Sequence, residues 1–193
     1  MTISDLYISD GIIVDHIEAE DYRFAAMDVN GKVLFSEKRN TTQFKDGLAL
    51  RTRTYFDEAY YVDKQGKRVF PMNNISMGAS DNLYPLSCDR RRVIIETGSA
   101  PSDLLPGAKE PVYSYGYLDA NLKLVIPATY VDAKDFSEGL AAFCQPKGNQ
   151  DYWGYIDING SIVIPAKFSK QPGIFHNGYA RVTKTNNKIV FIN

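Results

Sequence analysis

"DYWGYIDINGSIVIPAKF", residues 151–168, runs from an aromatic and a glycine through an apolar pair to an aspartate, then a turn, an apolar run and a proline. Its core, "WGYID" (153–157), aligns with "YGYLD" (115–119), "AYYVD" (59–63), "FAAMD" (24–28) and "IVFIN" (189–193). The fourth column holds Met27, Val62, Leu118, Ile156 and Ile192, all apolar, and the fifth holds Asp28, Asp63, Asp119, Asp157 and Asn193. The stretch is therefore one copy of an internal repeat rather than an isolated site. Turn chemistry accounts for the acids. In "DVNG", "DKQG" and "DING" the aspartate opens a four-residue turn that closes on Gly31, Gly66 or Gly160, and its side chain caps the turn. "DANL" departs from this, with Leu122 in the glycine column.

After each turn comes a β-branched, apolar box: "KVLF" (32–35), "KRVFP" (67–71), "KLVIP" (123–127) and "SIVIP" (161–165). These read as short strands ended by Pro71, Pro127 and Pro165, because proline cannot donate to a ladder. A third box follows about twenty residues past the aspartate: "FKDGLAL" (44–50), "FSEGLAAF" (136–143) and "FHNGYARV" (175–182), with "ISDGIIV" (8–14) ahead of the first aspartate. A degenerate "ASDNLYPL" (79–86) fills the remaining place, with Asn82 in the glycine column. Aspartate columns lie 35, 56, 38 and 36 residues apart. The surplus of the long interval falls in "CDRRRVIIETGSAPSDLLPGAKEPVYS", read as a hairpin insertion near residues 88–111.

These boxes resemble the WG repeat family, whose pattern is a W-G-Y-I-D strand, a G-K-x-V-I-P strand and an F-S-E-G-L-A strand. The resemblance is closest in "WGYIDINGSIVIPAKF" and "FSEGLAAF" and fades toward the N-terminus, where Ala25 and Ala26 replace the glycine and aromatic. It implies a β-rich bacterial repeat array that mediates interactions, with no shared catalytic residues to carry over. The pattern independently predicts an all-β chain. Short antiparallel strands, apolar on both faces, must stack on neighbouring units to hide their surface. The expected architecture is one domain over 1–193, an open, twisted stack of hairpins at 8–28, 44–63, 79–119, 136–157 and 175–193. A closed five-bladed propeller is the alternative, less favoured because a blade needs four strands. Helix is expected only as single turns near 130–136 and 169–175.

The chain has 193 residues, 44% of them hydrophobic and 23% charged, an ordinary globular balance. A formal charge of -1 offers no global positive field, so nucleic acid is not an expected partner. Cys88 and Cys144 lie outside any zinc-ligand or CxxC spacing and fit a reduced compartment. No basic leader or long apolar run is present, and the expected location is cytoplasmic, without membrane insertion. Asn-x-Ser/Thr triplets at Asn40, Asn74 and Asn159 are read as chance.

The sequence contains no phosphate-binding loop, dinucleotide fingerprint, H-E-x-x-H or G-x-S-x-G. "DVNG" and "DING" begin like a calcium loop, but the later ligands are missing, so no metal or cofactor is expected. His16 beside Asp15 reads as a surface histidine, since strand alternation sends the two to opposite faces. His176 falls in a column that accepts any polar residue. Tyr61, Tyr117, Tyr155 and Phe191 share a column expected to stack in the core.

The insertion carries the functional expectation. Leu104 and Leu105, flanked by turn residues, suit a partner's pocket, and Arg90, Arg91 and Arg92 suit an acidic rim. The chain is therefore read as a non-enzymatic protein-binding module, with an inhibitor or immunity-type partner of a bacterial protein as the narrower version. The alternative is a carbohydrate- or cell-envelope-binding protein using exposed Tyr and Trp153. Strands at 8–14 and 188–193 could also pair with another copy.

Overall fold

The computed structural model describes residues 8–17, 23–37, 44, 46–51, 60–70, 84, 86–102, 104–184 and 187–193. It is all-β, and the small antiparallel sheets of the described residues close into no barrel. Among the described residues no helix is long and apolar enough to cross a membrane. These residues divide into two compact units, 8–70 and 84–193.

Unit 1 holds two meanders. The first is β1 (Ile8–Ser9), β2 (Ile12–Ile17), β3 (Arg23–Asp28) and β4 (Val33–Glu37), and the second is β5 (Leu48–Arg51), β6 (Tyr60–Asp63) and β7 (Arg68–Phe70). Ile12, Ala26, Phe44, Ala49 and Val62 form their common core.

Unit 2 repeats the plan with β8 (Leu86–Ser87), β9 (Arg90–Pro101), β10 (Lys109–Leu118) and β11 (Leu124–Tyr130). Next come β12 (Asp132–Ala133), β13 (Leu140–Lys147), β14 (Gln150–Asp157) and β15 (Ile162–Phe168), followed by the pair β16 (Ala180–Thr183) and β17 (Ile189–Ile192). The β12–β15 sheet is buried on both faces. Ala141, Phe143 and Ile156 enter one core with Tyr117, Ile126 and Phe136, whereas Ala142, Cys144, Trp153 and Tyr155 enter another with Phe168, Phe175 and Val182. This explains the unbroken apolar run "LAAFC": successive residues point to opposite faces, and both faces here are dry.

Several expectations need correction. Three of the described sheets have four strands, because a two-residue strand precedes the third-box turn, so the strand-count objection to a blade does not hold. Residues 130–136 contain β12 rather than a helical turn, and 169–175 have no helical turn either. Pro127 and Pro165 do not end their strands. β11 and β15 continue past them, and the prolines sit where the ladder is irregular: Tyr117 pairs Ile126 but Tyr115 pairs Tyr130, and Tyr155 pairs Ile164 but Trp153 pairs Phe168. The bulge needs no donor from the proline. Pro71 and most of "ASDNLYPL", Asn82 included, lie outside the described residues. The glycine of the repeat has its cause in the same irregularity. A Cβ on Gly116 would lie 2.7 Å from the Ile126 carbonyl oxygen, and one on Gly154 would collide with the Ile164 carbonyl and with Ala166.

Candidate functional site

The third-box turns form a ladder within each unit. Asp10–Gly11, Cys88–Asp89, Glu138–Gly139 and Asn177–Gly178 are two-residue turns with positive φ at both positions, the hairpin turn that matches strand twist. Cys88–Asp89 reveals the true third box of the long copy. Leu86-Ser87-Cys88-Asp89 stands where Phe136-Ser137-Glu138-Gly139 stands in the next, and Asp89 lies 26 residues after Asp63, where Gly139 lies 20 after Asp119. Part of the surplus therefore precedes the turn, and the rest lengthens the hairpin. The serine hydroxyl of one turn donates to the carbonyl of the aromatic that leads the next: Ser9 to Phe44, Ser87 to Phe136 at 2.6 Å and Ser137 to Phe175 at 2.7 Å. Carboxylates add a second rung. Asp10 accepts from Gly47 N–H at 2.5 Å, and Glu138 accepts from Asn177 and Gly178 at 2.6 and 2.8 Å.

The aspartate column is consumed locally. Each carboxylate of Asp28, Asp63, Asp119 and Asp157 accepts two backbone N–H groups at 2.9 Å, from the residues two and four positions on. Gly31, Gly66 and Gly160 supply the left-handed closing position, and Leu122 adopts it too, at φ 64°. No cluster of three metal-ligating side chains occurs among the described residues.

Tyrosines of the repeat are buried and tied to the following unit. Tyr117 donates to the Lys134 carbonyl at 2.6 Å and packs edge-on against Phe136; Tyr155 donates to the Gly173 carbonyl at 2.8 Å and packs edge-on against Phe175. Burial pushes the Tyr155 hydroxyl up to about 12 and raises that of Tyr117 further. Trp153 is buried beneath the Lys134 ammonium, 5.2 Å from its ring. Tyr61 is buried as well, but Phe191, in the same column, is 71% exposed.

The arginine run does not face outward. Arg91 is only 4% exposed and donates to the Tyr84 carbonyl at 2.6 Å. Arg90 reaches the Ile158 carbonyl at 2.8 Å, while Arg92 bonds the Ala133 carbonyl, pairs with Asp135 at 3.0 Å and lies 3.8 Å over the Tyr84 ring. An acidic-rim role for these three is corrected accordingly: they anchor the base of the hairpin to the rest of unit 2. Arg91 and Arg92 occupy the columns of Ala141 and Ala142, and their length carries the charge across the small-residue positions to backbone carbonyls.

Beyond that base the hairpin becomes an arm. β9 and β10 pair from Arg91–Leu118 out to Pro101–Lys109, whereas β8 reaches only Arg90 and Arg91, and β11 pairs β10 only from Tyr115 to Leu118. Residues 96–99 and 109–113 are exposed. The tip is fixed by its own bonds: Ser102 N–H to the Ala108 carbonyl and Ala108 N–H to the Leu105 carbonyl, both 3.0 Å, with the Ser102 hydroxyl oxygen accepting from Leu104 and Leu105 at 3.2 Å. This turn presents Leu104 and Leu105, 85% and 66% exposed.

Of the histidines, His16 lies on β2 with its side chain outside the described residues; His176 is exposed at the start of the last turn. Cys88 is exposed. Cys144 is buried, and desolvation, then Asp151 and Asp132, push its thiol up to about 11.

Ladder, twin cores and repeated glycine define a β-repeat protein in which successive repeats of the second unit bond one another in the same way. Residues 115–147 and 153–188 match the model of the WG containing repeat. No curated protein matches the chain.

Proposed function

We propose that this repeat protein is a non-enzymatic protein-interaction module whose contact element is the β9–β10 arm. The observation that carries the reading is the pair Leu104 and Leu105, held outward on an ordered, internally hydrogen-bonded tip. Two adjacent leucines exposed to this degree cost solvation free energy of roughly 1.5–3 kcal/mol each that a partner pocket would recover. The arginines at the base of the arm are already engaged by backbone carbonyls and Asp135, so the reading rests on the apolar tip. An inhibitor or immunity-type role toward a bacterial protein is the narrower form of the same reading. Carbohydrate binding draws less support, because Trp153, Tyr61, Tyr117 and Tyr155 are buried and the repeat aspartates are spent in turns.

The test is affinity capture from a bacterial lysate with the intact chain and with Leu104→Ser/Leu105→Ser, matched for melting temperature. A protein captured by the first and lost from the second supports the arm as the contact element. Equal capture by both, or none by either, overturns it.

A further inference from the structure

The outer face of β16 and β17 is open. Strand alternation sends Ala180, Val182, Val190 and Ile192 into the core of unit 2 and turns Arg181, Ile189 and Phe191 outward. Arg181 and Phe191 stand directly opposite each other across the pair, and both are exposed. Ile189 and Tyr179 are exposed as well. Large apolar groups gathered this way mark an interaction surface.

The same columns, two repeats earlier, show what such a pair receives. There Arg92 and Tyr117 are the cross-strand pair, and residues 133–136 of the next repeat cover them. Arg92 bonds the Ala133 carbonyl and pairs with Asp135 at 3.0 Å, while Tyr117 lies edge-on to Phe136 with ring centroids 4.8 Å apart. At the junction between, the pair is Ala142 and Tyr155; the covering aromatic is Phe175, and Ile174 precedes it. A carboxylate thus stands before the covering aromatic where the column holds arginine, and an apolar residue where it holds alanine.

We propose that the Arg181–Phe191 face docks an extended segment of a partner protein that carries a carboxylate directly before an aromatic residue, seated as Asp135 and Phe136 are seated on Arg92 and Tyr117. Charge favours this occupant. Residues 158–193 contain Lys167, Lys170, Arg181, Lys184 and Lys188 and no acidic side chain, so the surface attracts an acidic segment and repels the same face of a second copy. Phe191 lacks the hydroxyl that Tyr117 gives to the Lys134 carbonyl, so the partner backbone owes it no acceptor. The ion pair and the aromatic contact are what remain to define the segment.

This surface is separate from the hairpin arm, and the two readings fail independently. The measurement is a backbone-amide NMR titration of the isotope-labelled full chain with a synthetic peptide of residues 130–140, YVDAKDFSEGL, up to millimolar concentration. Saturable shifts centred on β16 and β17 are expected. In the peptide, Asp135→Asn should weaken binding about fivefold and Phe136→Ala about tenfold. In the chain, Phe191→Ser should weaken it about tenfold as well. Arg181→Glu should reject the original peptide and accept one with Asp135→Lys. Leu104→Ser/Leu105→Ser should bind like wild type. The proposal is overturned by a titration without shifts, by shifts centred away from β16 and β17, or by binding that Arg181→Glu and Phe191→Ser leave unchanged. Concentration-dependent shifts of β16 and β17 without peptide overturn it too, since they make a second copy the occupant. Circular dichroism and melting establish that the chain variants stay folded; if Phe191→Ser unfolds, the charge exchange between Arg181→Glu and Asp135→Lys decides alone.

Discussion

Glu138 and Gly178, forty residues apart, are joined by a 2.8 Å hydrogen bond from the glycine N–H to the carboxylate. Beside it the Ser137 hydroxyl donates to the Phe175 carbonyl at 2.7 Å. One hairpin turn thus recognises the next through two side chains that lie next to each other in the sequence. Ser137→Ala leaves a part-buried carbonyl without this donor and is expected to cost about 1 kcal/mol. Glu138→Ala acts at an exposed site and is expected to cost about 0.5 kcal/mol. Urea unfolding of the two single variants and the double variant measures both. The neighbouring bonds share one turn, so the double variant should not be strictly additive.

Gly154 tolerates no side chain. Its Cβ position is occupied by the Ile164 carbonyl, Ala166 and the Phe143 ring, and backbone atoms cannot step aside as a flexible side chain can. Gly154→Ala is expected to destabilise by about 2–4 kcal/mol. Gly178→Ala meets nothing within 4 Å and suffers only its positive φ, a cost of about 1 kcal/mol. Thermal denaturation of the pair separates crowding from backbone strain.

Leu122 carries the opposite defect, a branched side chain at φ 64° where the other copies have glycine. Leu122→Gly relieves the left-handed strain but widens the unfolded ensemble and loses the partly buried side chain. The net expectation is a gain of about 0.5 kcal/mol, read as a small rise in melting temperature. An equal or larger fall would mean that leucine packing outweighs the strain.

The two thiols should separate cleanly. A disulfide exchange reagent near pH 8 is expected to label Cys88 at once and Cys144 only on unfolding, since the latter is buried with its pKa pushed up to about 11. One fast thiol per chain, rising to two in denaturant, is the predicted count.

Alkaline pH should unfold the protein through its tyrosines. The folded-state pKa of Tyr155 is raised to about 12, above the ordinary value of 10, so the unfolded chain releases its proton first. The stability associated with the neutral hydroxyl is complete below pH 10 and is lost as pH rises toward 12. Tyr155→Phe is expected to lower stability at neutral pH by about 1 kcal/mol, through the lost bond to Gly173, and to flatten the decline above pH 10.

Repeat architecture is legible in this sequence because turn chemistry is local. Asp157 and Gly160 announce their turn within four residues, and the unbroken apolar run "LAAFC" reports two buried faces. The failures come from residues whose role depends on the neighbouring unit. Cys88 and Asp89 take the left-handed pair that glycine marks elsewhere, so a reading keyed on the spacing from Asp63 settles on Asn82 instead. Arg91 in a charged run reads as solvent-facing, yet it is buried and donates to the Tyr84 carbonyl. Pro165 reads as a strand ending, because the bulge that accommodates it is created by Gly154 on the adjacent strand. Leu104 and Leu105 are marked by their surroundings in the sequence, but their exposure follows from the length of the paired strands beneath them.

Between Glu96 and Val112 the hairpin shares no ladder bond with β8 or β11. Mutations there escape the rules that constrain every other period, so this segment can diversify at the pace of whatever it meets. Selection could thus rewrite the arm's length and apolar tip many times over while the scaffold's inheritance stays fixed. For the same reason the arm is the natural place to graft a foreign recognition loop.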